Sequence, residues 1–148
     1  MKDVLNLRLV FFYLSLMQAY IAISYNKRKQ LQTELDAIKE VLKQYSIIPF
    51  VFVDNYNFDA KQEKEMMQAA FAEINKCDLL IAEVSDKAIG IGIEVGYAKA
   101  KKKTIIYLRA VGAEHSTTIG GTTDCTIIYN STVDLKSRLK SFLHSRNT

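Results

Sequence analysis

Cysteine occurs only twice in the 148 residues. Cys77 and Cys125 lie far apart, without metal-ligand spacing, and two cysteines cannot build a disulfide framework. A zinc module and a disulfide-stapled secreted fold are both excluded, and two reduced core cysteines of a cytoplasmic protein are expected. Proline occurs once; Pro49 stands near the start of a strand-like run, 47–53, and marks it as an edge strand, where a missing N–H breaks no ladder. Glycine occurs six times and never between Tyr25 and Arg28, the loop after the first strand-like run. A dinucleotide or flavin phosphate loop needs glycines there, so that class is excluded and no cofactor or metal is expected. A long apolar run is also missing. Leu9–Met17 is too short to span a bilayer, and no good cleavage pattern follows it. Residues 1–16 are expected to be a dispensable apolar extension, with a possible start at Met17 and a domain over 17–148. Finally, the basic excess, 20 Lys and Arg against 16 Asp and Glu, is scattered and not gathered into an aromatic-flanked stripe. Neither nucleic acid nor a membrane is an expected partner.

What is present is a hydrophobic content of 49%, enough for one domain with a full core. Strand-like runs alternate with helix-like ones. Strands are expected at 20–24, 47–53, 79–84, 104–108 and 126–129. Between and after them, helices are expected over 27–45, where Leu31, Leu35, Ile38, Val41 and Leu42 recur at helical spacing, over 60–75, over 92–101 and over 133–143. Such an alternation predicts an α/β three-layer sandwich: a five-stranded parallel sheet of flavodoxin or Rossmann-like type, in the order 2-1-3-4-5.

Ligands of such sheets bind outside the carboxyl ends of the strands. The third strand, 79–84, leads there into Gly90-Ile91-Gly92-Ile93-Glu94-Val95-Gly96. The glycines are expected to form a sharp turn that a ligand can approach closely, with Glu94 in the first turn of the helix that follows. The helix dipole then favours an ionised Glu94 at neutral pH. That state suits a nucleophile or an acceptor for a sugar hydroxyl, and equally a carboxylate that only caps its own helix. The same edge collects Ser24, Tyr25 and Asn26, and the loop Asp54–Asp59, in which Tyr56 and Phe58 can stack on a base or plug the sheet. Met66 and Met67 read as core filler. The Ser, Thr and Gly-rich stretch between Arg109 and Asp124 is long enough to be functional; it holds His115, read as solvated, and Ser116.

The block Cys77–Val84 followed by Gly90–Ala98 resembles the nucleoside 2-deoxyribosyltransferase family, and is similar above all to its 2'-deoxynucleoside 5'-phosphate N-hydrolase branch. The resemblance extends by order of elements from about Ala19 to Leu143. It implies that Glu94 attacks the anomeric carbon of a deoxyribose and that water or a second base resolves the glycosyl-enzyme. It also implies contacts to the substrate from Ser24, from the backbone of Ile89, Gly90, Ile91 and Gly92, and from Ser116 of a neighbouring subunit, hence a homodimer or higher homo-oligomer acting on a nucleoside or nucleotide. The chain departs from the pattern at three places. Ala70 stands where the family has an aspartate, which leaves three possibilities open: Asp59, Gln68 or Glu73 substitutes, the leaving base is activated otherwise, or the chain is a catalytically impaired nucleotide-binding or signalling module of the same fold. Ala88 replaces a phosphate-contacting serine. Ser24-Tyr25-Asn26-Lys27-Arg28 replaces a glycine-containing loop, with Lys27 or Arg28 as alternative sources of positive charge.

Overall fold

The computed structural model describes residues 16–146; the proposed extension before Met17 lies almost wholly outside them. Five strands, β1 (Gln18–Ala22), β2 (Ile48–Val51), β3 (Leu79–Glu83), β4 (Thr104–Ala110) and β5 (Cys125–Tyr129), form one parallel sheet in the order β2-β1-β3-β4-β5. The helices are α1 (Gln32–Gln44), α2 (Phe52–Asn55), α3 (Glu63–Lys76), α4 (Ile89–Ala100), α5 (Thr117–Gly120) and α6 (Thr132–Arg146). Every residue of β3 is buried, because helices cover both faces of the central strand.

Alternation along the strands sorts the core into two layers. Ala19, Ile21, Leu79, Ile81, Ile106 and Leu108 meet Leu35, Ile38 and Val41 of α1 and Leu135, Leu139 and Leu143 of α6. Tyr20, Ala22, Leu80, Ala82, Ile105 and Tyr107 meet Ala70 and Ile74 of α3 and Ile91, Val95 and Ala98 of α4. The fold and strand order are those expected, and β2, which carries Pro49, pairs only with β1 at the sheet's edge.

Three of the boundaries that differ from expectation stand at the carboxyl edge of the sheet. The second strand stops at Val51 and the chain turns into α2. Asp54 is drawn to Arg28, whose Nε and NH2 donate to Oδ1 and Oδ2 at 2.5 and 2.7 Å, while Asn55 Nδ2 donates to the Val51 carbonyl at 2.7 Å. The first helix starts only at Gln32. The helix after β3 starts at Ile89, three residues before the expected point, so Gly90 and Gly92 lie inside its first turn and no sharp glycine turn exists. The stretch after β4 is likewise not structureless: β4 runs on to Ala110, Gly112 turns the chain at φ +85°, and α5 follows. A Cβ at Gly120 of α5 would meet the exposed His115 ring at 2.8 Å, so a larger residue there would displace that side chain.

Candidate active site

α4 carries Glu94 in its second turn, beyond the reach of the helix dipole, which fades within the first. Burial decides its ionisation instead: removal from water pushes the Glu94 carboxyl up to about 7, only partly offset by a hydrogen bond from Tyr20. The expectation of a fully ionised first-turn glutamate is therefore corrected. Tyr20 Oη donates to Glu94 Oε1 at 2.7 Å; Glu94 Oε2 makes no hydrogen bond among the described residues. Tyr20 is fully buried in the middle of β1, and the phenol is held protonated by burial and by the Glu94 carboxylate.

Glu94 lines a cavity of about 300 Å³ with Tyr25, Phe52, Val53, Tyr56, Asn57, Phe58, Met66, Met67 and Ala70. It is the one carboxylate in that lining. The far wall is aromatic: Phe52 and Tyr56 stack with ring centroids 4.9 Å apart, and Tyr56 and Phe58 with centroids 5.6 Å apart. α2 creates this wall by turning Phe52 and Tyr56 in from the end of the edge strand. The methionines, expected as core filler, line the cavity too, where a polarizable thioether can adapt to a flat ring. Such a space, mostly apolar with one carboxyl group at its wall, suits a planar heterocycle held beside that carboxyl.

Of the other residues singled out from the sequence, Tyr25 alone of the first loop reaches the cavity; Asn26 is exposed outside it. Ser24 is 2% exposed and its Oγ donates to Asp86 Oδ2 at 2.6 Å. Ile89, Gly90 and Gly92 form the exposed first turn of α4, with open space over both glycines. They are not in the cavity lining. Ser116 is buried in its own chain, its N–H donating to Tyr107 Oη at 3.2 Å. Among the substitutes for an acid at position 70, Asp59 accepts from the Lys61 N–H at 2.7 Å and shapes the entry to α3, and Gln68 is exposed outside the cavity. Glu73 does touch the wall: its Oε1 accepts from Tyr56 Oη and from Lys76 Nζ, both at 2.8 Å. Arg28 is occupied by Asp54, and Lys27 lines a separate hollow with Gln30, Leu31, Ser85 and Asp86.

Sequence reasoning missed Tyr20 and the cavity-facing role of Phe52. A signal existed for the first, because a buried tyrosine hydroxyl needs a hydrogen-bond partner, and Tyr20 sits within an otherwise apolar strand.

A family model described as nucleoside 2-deoxyribosyltransferase matches residues 19–140. A curated relative from Syntrophotalea carbinolica, which carries the name of a 2'-deoxynucleoside 5'-phosphate N-hydrolase, is 35% identical over 85 residues, 57% of this chain and 58% of the relative. The match thus spans little more than half of that relative's length. Among solved structures, a CMP N-glycosidase from Clostridium botulinum superposes with a TM-score of 0.63 at 22% identity, covering 84% of this chain and 98% of the other. A 2-deoxyribosyltransferase from Bacillus psychrosaccharolyticus superposes with a TM-score of 0.64 at 16% identity, covering 85% and 95%. At those identities the two structures speak to the fold.

Proposed function

The chain belongs to the nucleoside 2-deoxyribosyltransferase family, and on that premise we propose that it cleaves or transfers the N-glycosidic bond of a 2'-deoxynucleoside or its 5'-monophosphate, with Glu94 as nucleophile. The observation that carries this reading is the pairing of a lone carboxylate with an aromatic wall across one cavity of about 300 Å³. The base lies against Phe52, Tyr56 and Phe58, and the sugar's anomeric carbon faces Glu94. Oε2, the oxygen not engaged by Tyr20, bonds to that carbon as the C–N bond breaks and its electron pair leaves with the base. Water or a second base then displaces the carboxylate, and two inversions retain configuration. Tyr20 fixes the carboxylate's orientation. Tyr56, hydrogen-bonded to Glu73, and Asn57 are the polar groups near the leaving base.

We also propose a homodimer or higher homo-oligomer, supported by the exposed apolar residues of α4, Ile89 at 86% and Ile93 at 46% exposure. A second reading, a nucleotide-binding module without turnover, is favoured by Ala70, which puts a methyl in the cavity where proton transfer to the base needs an acid.

Free-base release, followed by chromatography over deoxynucleosides, their 5'-monophosphates and the ribose counterparts, with and without an acceptor base, tests the proposal. We expect release that falls at least about 10³-fold in Glu94→Gln. Tight binding with no release would establish the second reading, and release unchanged in the variant would remove Glu94 as nucleophile.

A further inference from the structure

A base bound in the cavity beside Glu94 can leave its sugar by one of three routes: as an anion, as a neutral molecule after taking a proton, or, where it already carries positive charge, as a neutral molecule with no proton taken. The first route needs a cation beside the base. Among the described residues no lysine, arginine or histidine lines the cavity; Arg28 is held by Asp54 and Lys76 by Glu73. The second route needs an acid at the base. Ala70 puts a methyl there, and Met66 and Met67 put thioethers. Tyr56 Oη donates to Glu73 Oε1 at 2.8 Å, so its proton points away from any ligand, toward a carboxylate that Lys76 Nζ also reaches at 2.8 Å. Two polar groups remain in the lining: Asn57, whose amide gives up no proton, and Tyr25, which is 74% exposed and opens to water. Glu94 itself is engaged with the sugar in the proposed reaction.

We infer that the site takes N-glycosides whose heterocycle carries a positive charge before cleavage, an N-alkylated purine or a pyridinium. This rests on the proposed glycosidic chemistry and narrows its substrate class. Glu94 Oε2 bonds to the anomeric carbon as the C–N bond breaks; the electron pair of that bond cancels the charge on the ring, which leaves neutral with no proton transferred. Water then displaces the carboxylate, its oxygen going to the anomeric carbon and one of its protons to solvent. The lining suits the charged ring before the bond breaks. Phe52, Tyr56 and Phe58 offer aromatic quadrupoles to a cation, Met66 and Met67 offer polarizable sulfur, and the charged group in the lining is a carboxylate. Once neutral, the ring loses that attraction. A cation beside Glu94 also favours its ionised form, against the burial that pushes the carboxyl up to about 7. One charge on the substrate thus serves both the leaving group and the nucleophile.

The experiment measures base release from 7-methyl-2'-deoxyguanosine, from nicotinamide 2'-deoxyriboside and from the neutral deoxynucleosides, 2'-deoxyguanosine among them. Wild type, Glu94→Gln and Ala70→Asp are compared, with spontaneous release subtracted and thermal melts to show that each is folded. In the wild type, kcat/KM for at least one cationic substrate should exceed that for every neutral one by about 10²-fold or more, a gap that a general acid in the site would level. The faster of the two cationic arms tells a purinium site from a pyridinium one. Release from it should be lost in Glu94→Gln. Ala70→Asp, which adds an acid to the wall, should narrow the gap by raising the neutral substrates. A neutral deoxynucleoside used as well as the cationic compounds overturns the inference, as does an unchanged gap in folded Ala70→Asp or cationic release that survives in Glu94→Gln. Release from neither cationic compound overturns it too. Turnover of a neutral deoxynucleoside that Glu94→Gln abolishes would then leave the glycosidic reading standing, whereas no release from any compound removes both.

Discussion

Two forces act on Glu94 and they oppose each other. Burial favours the neutral acid and dominates, while the Tyr20 hydroxyl favours the carboxylate. Since a nucleophile must be ionised, activity should be lost as pH falls and gained as pH rises through the folded value, giving a rising limb of kcat/KM centred near 7. Tyr20→Phe removes the group that lowers this value, so the limb should move to higher pH by about one pH unit, the hydrogen bond being to a charged acceptor. A pH–rate profile of both proteins checks it; coincident profiles would mean that Tyr20 does not act on Glu94. The same pair shows why the residue reads incompletely in one dimension. Glu94 stands out beside its glycines, whereas its partner is 74 residues away and was readable only as a strand tyrosine.

At the scale of elements, the connection from β3 to α4 matters more than either end. Glu83, the last residue of β3, is fully buried and accepts from Tyr129 Oη of β5 at 2.9 Å and from the Ser85 N–H at 3.3 Å. Burial raises its pKa and the hydrogen bonds from Ser85 and Tyr129 act the other way. Ser85 in turn takes the Ala110 N–H of β4, so one side chain ties three strand ends and orients the loop that bears Asp86. Glu83→Ala should therefore destabilise by about 3 kcal/mol, because the Tyr129 and Ser85 donors are left buried and unpaired, whereas Glu83→Gln, which keeps an acceptor, should cost much less. Thermal melts should separate the two variants by several degrees. From the sequence, Glu83 is only the end of an apolar run. The helix start was misplaced as well: Gly90 and Gly92 read as breakers, but α4 begins at Ile89 and runs through both.

For the whole molecule, the sheet order puts the edge strand β2 beside β1, and that neighbourhood brings the α2 aromatics across from Glu94. No helix among the described residues is long and apolar enough to cross a membrane. The proposed homodimer or higher oligomer, argued from the exposed Ile89 and Ile93 of α4, should appear by light scattering at micromolar concentration. Ile89→Lys should shift it toward monomer, since burying such a side chain at an interface is worth about 1.5–3 kcal/mol per copy. A monomeric wild type would remove the proposed oligomer and leave the cavity, built from one chain, as it is.

The order of elements, the parallel sheet and the prominence of Glu94 were legible in the sequence alone, because they follow from local periodicity and from one short contiguous block. Wherever the outcome depended on residues distant in sequence, only the tertiary structure decided it. Arg28 and Asp54 end the second strand early, Tyr20 holds Glu94, and the aromatic turn α2 makes the methionines part of the site. Ser24 and Asp86, 62 residues apart, are joined by a hydrogen bond that ties the end of β1 to the β3–α4 connection. Ionisation belongs to the second group as well: a helix dipole can be read from position, but the burial that overrides it exists only once α3, α4 and the sheet are packed together.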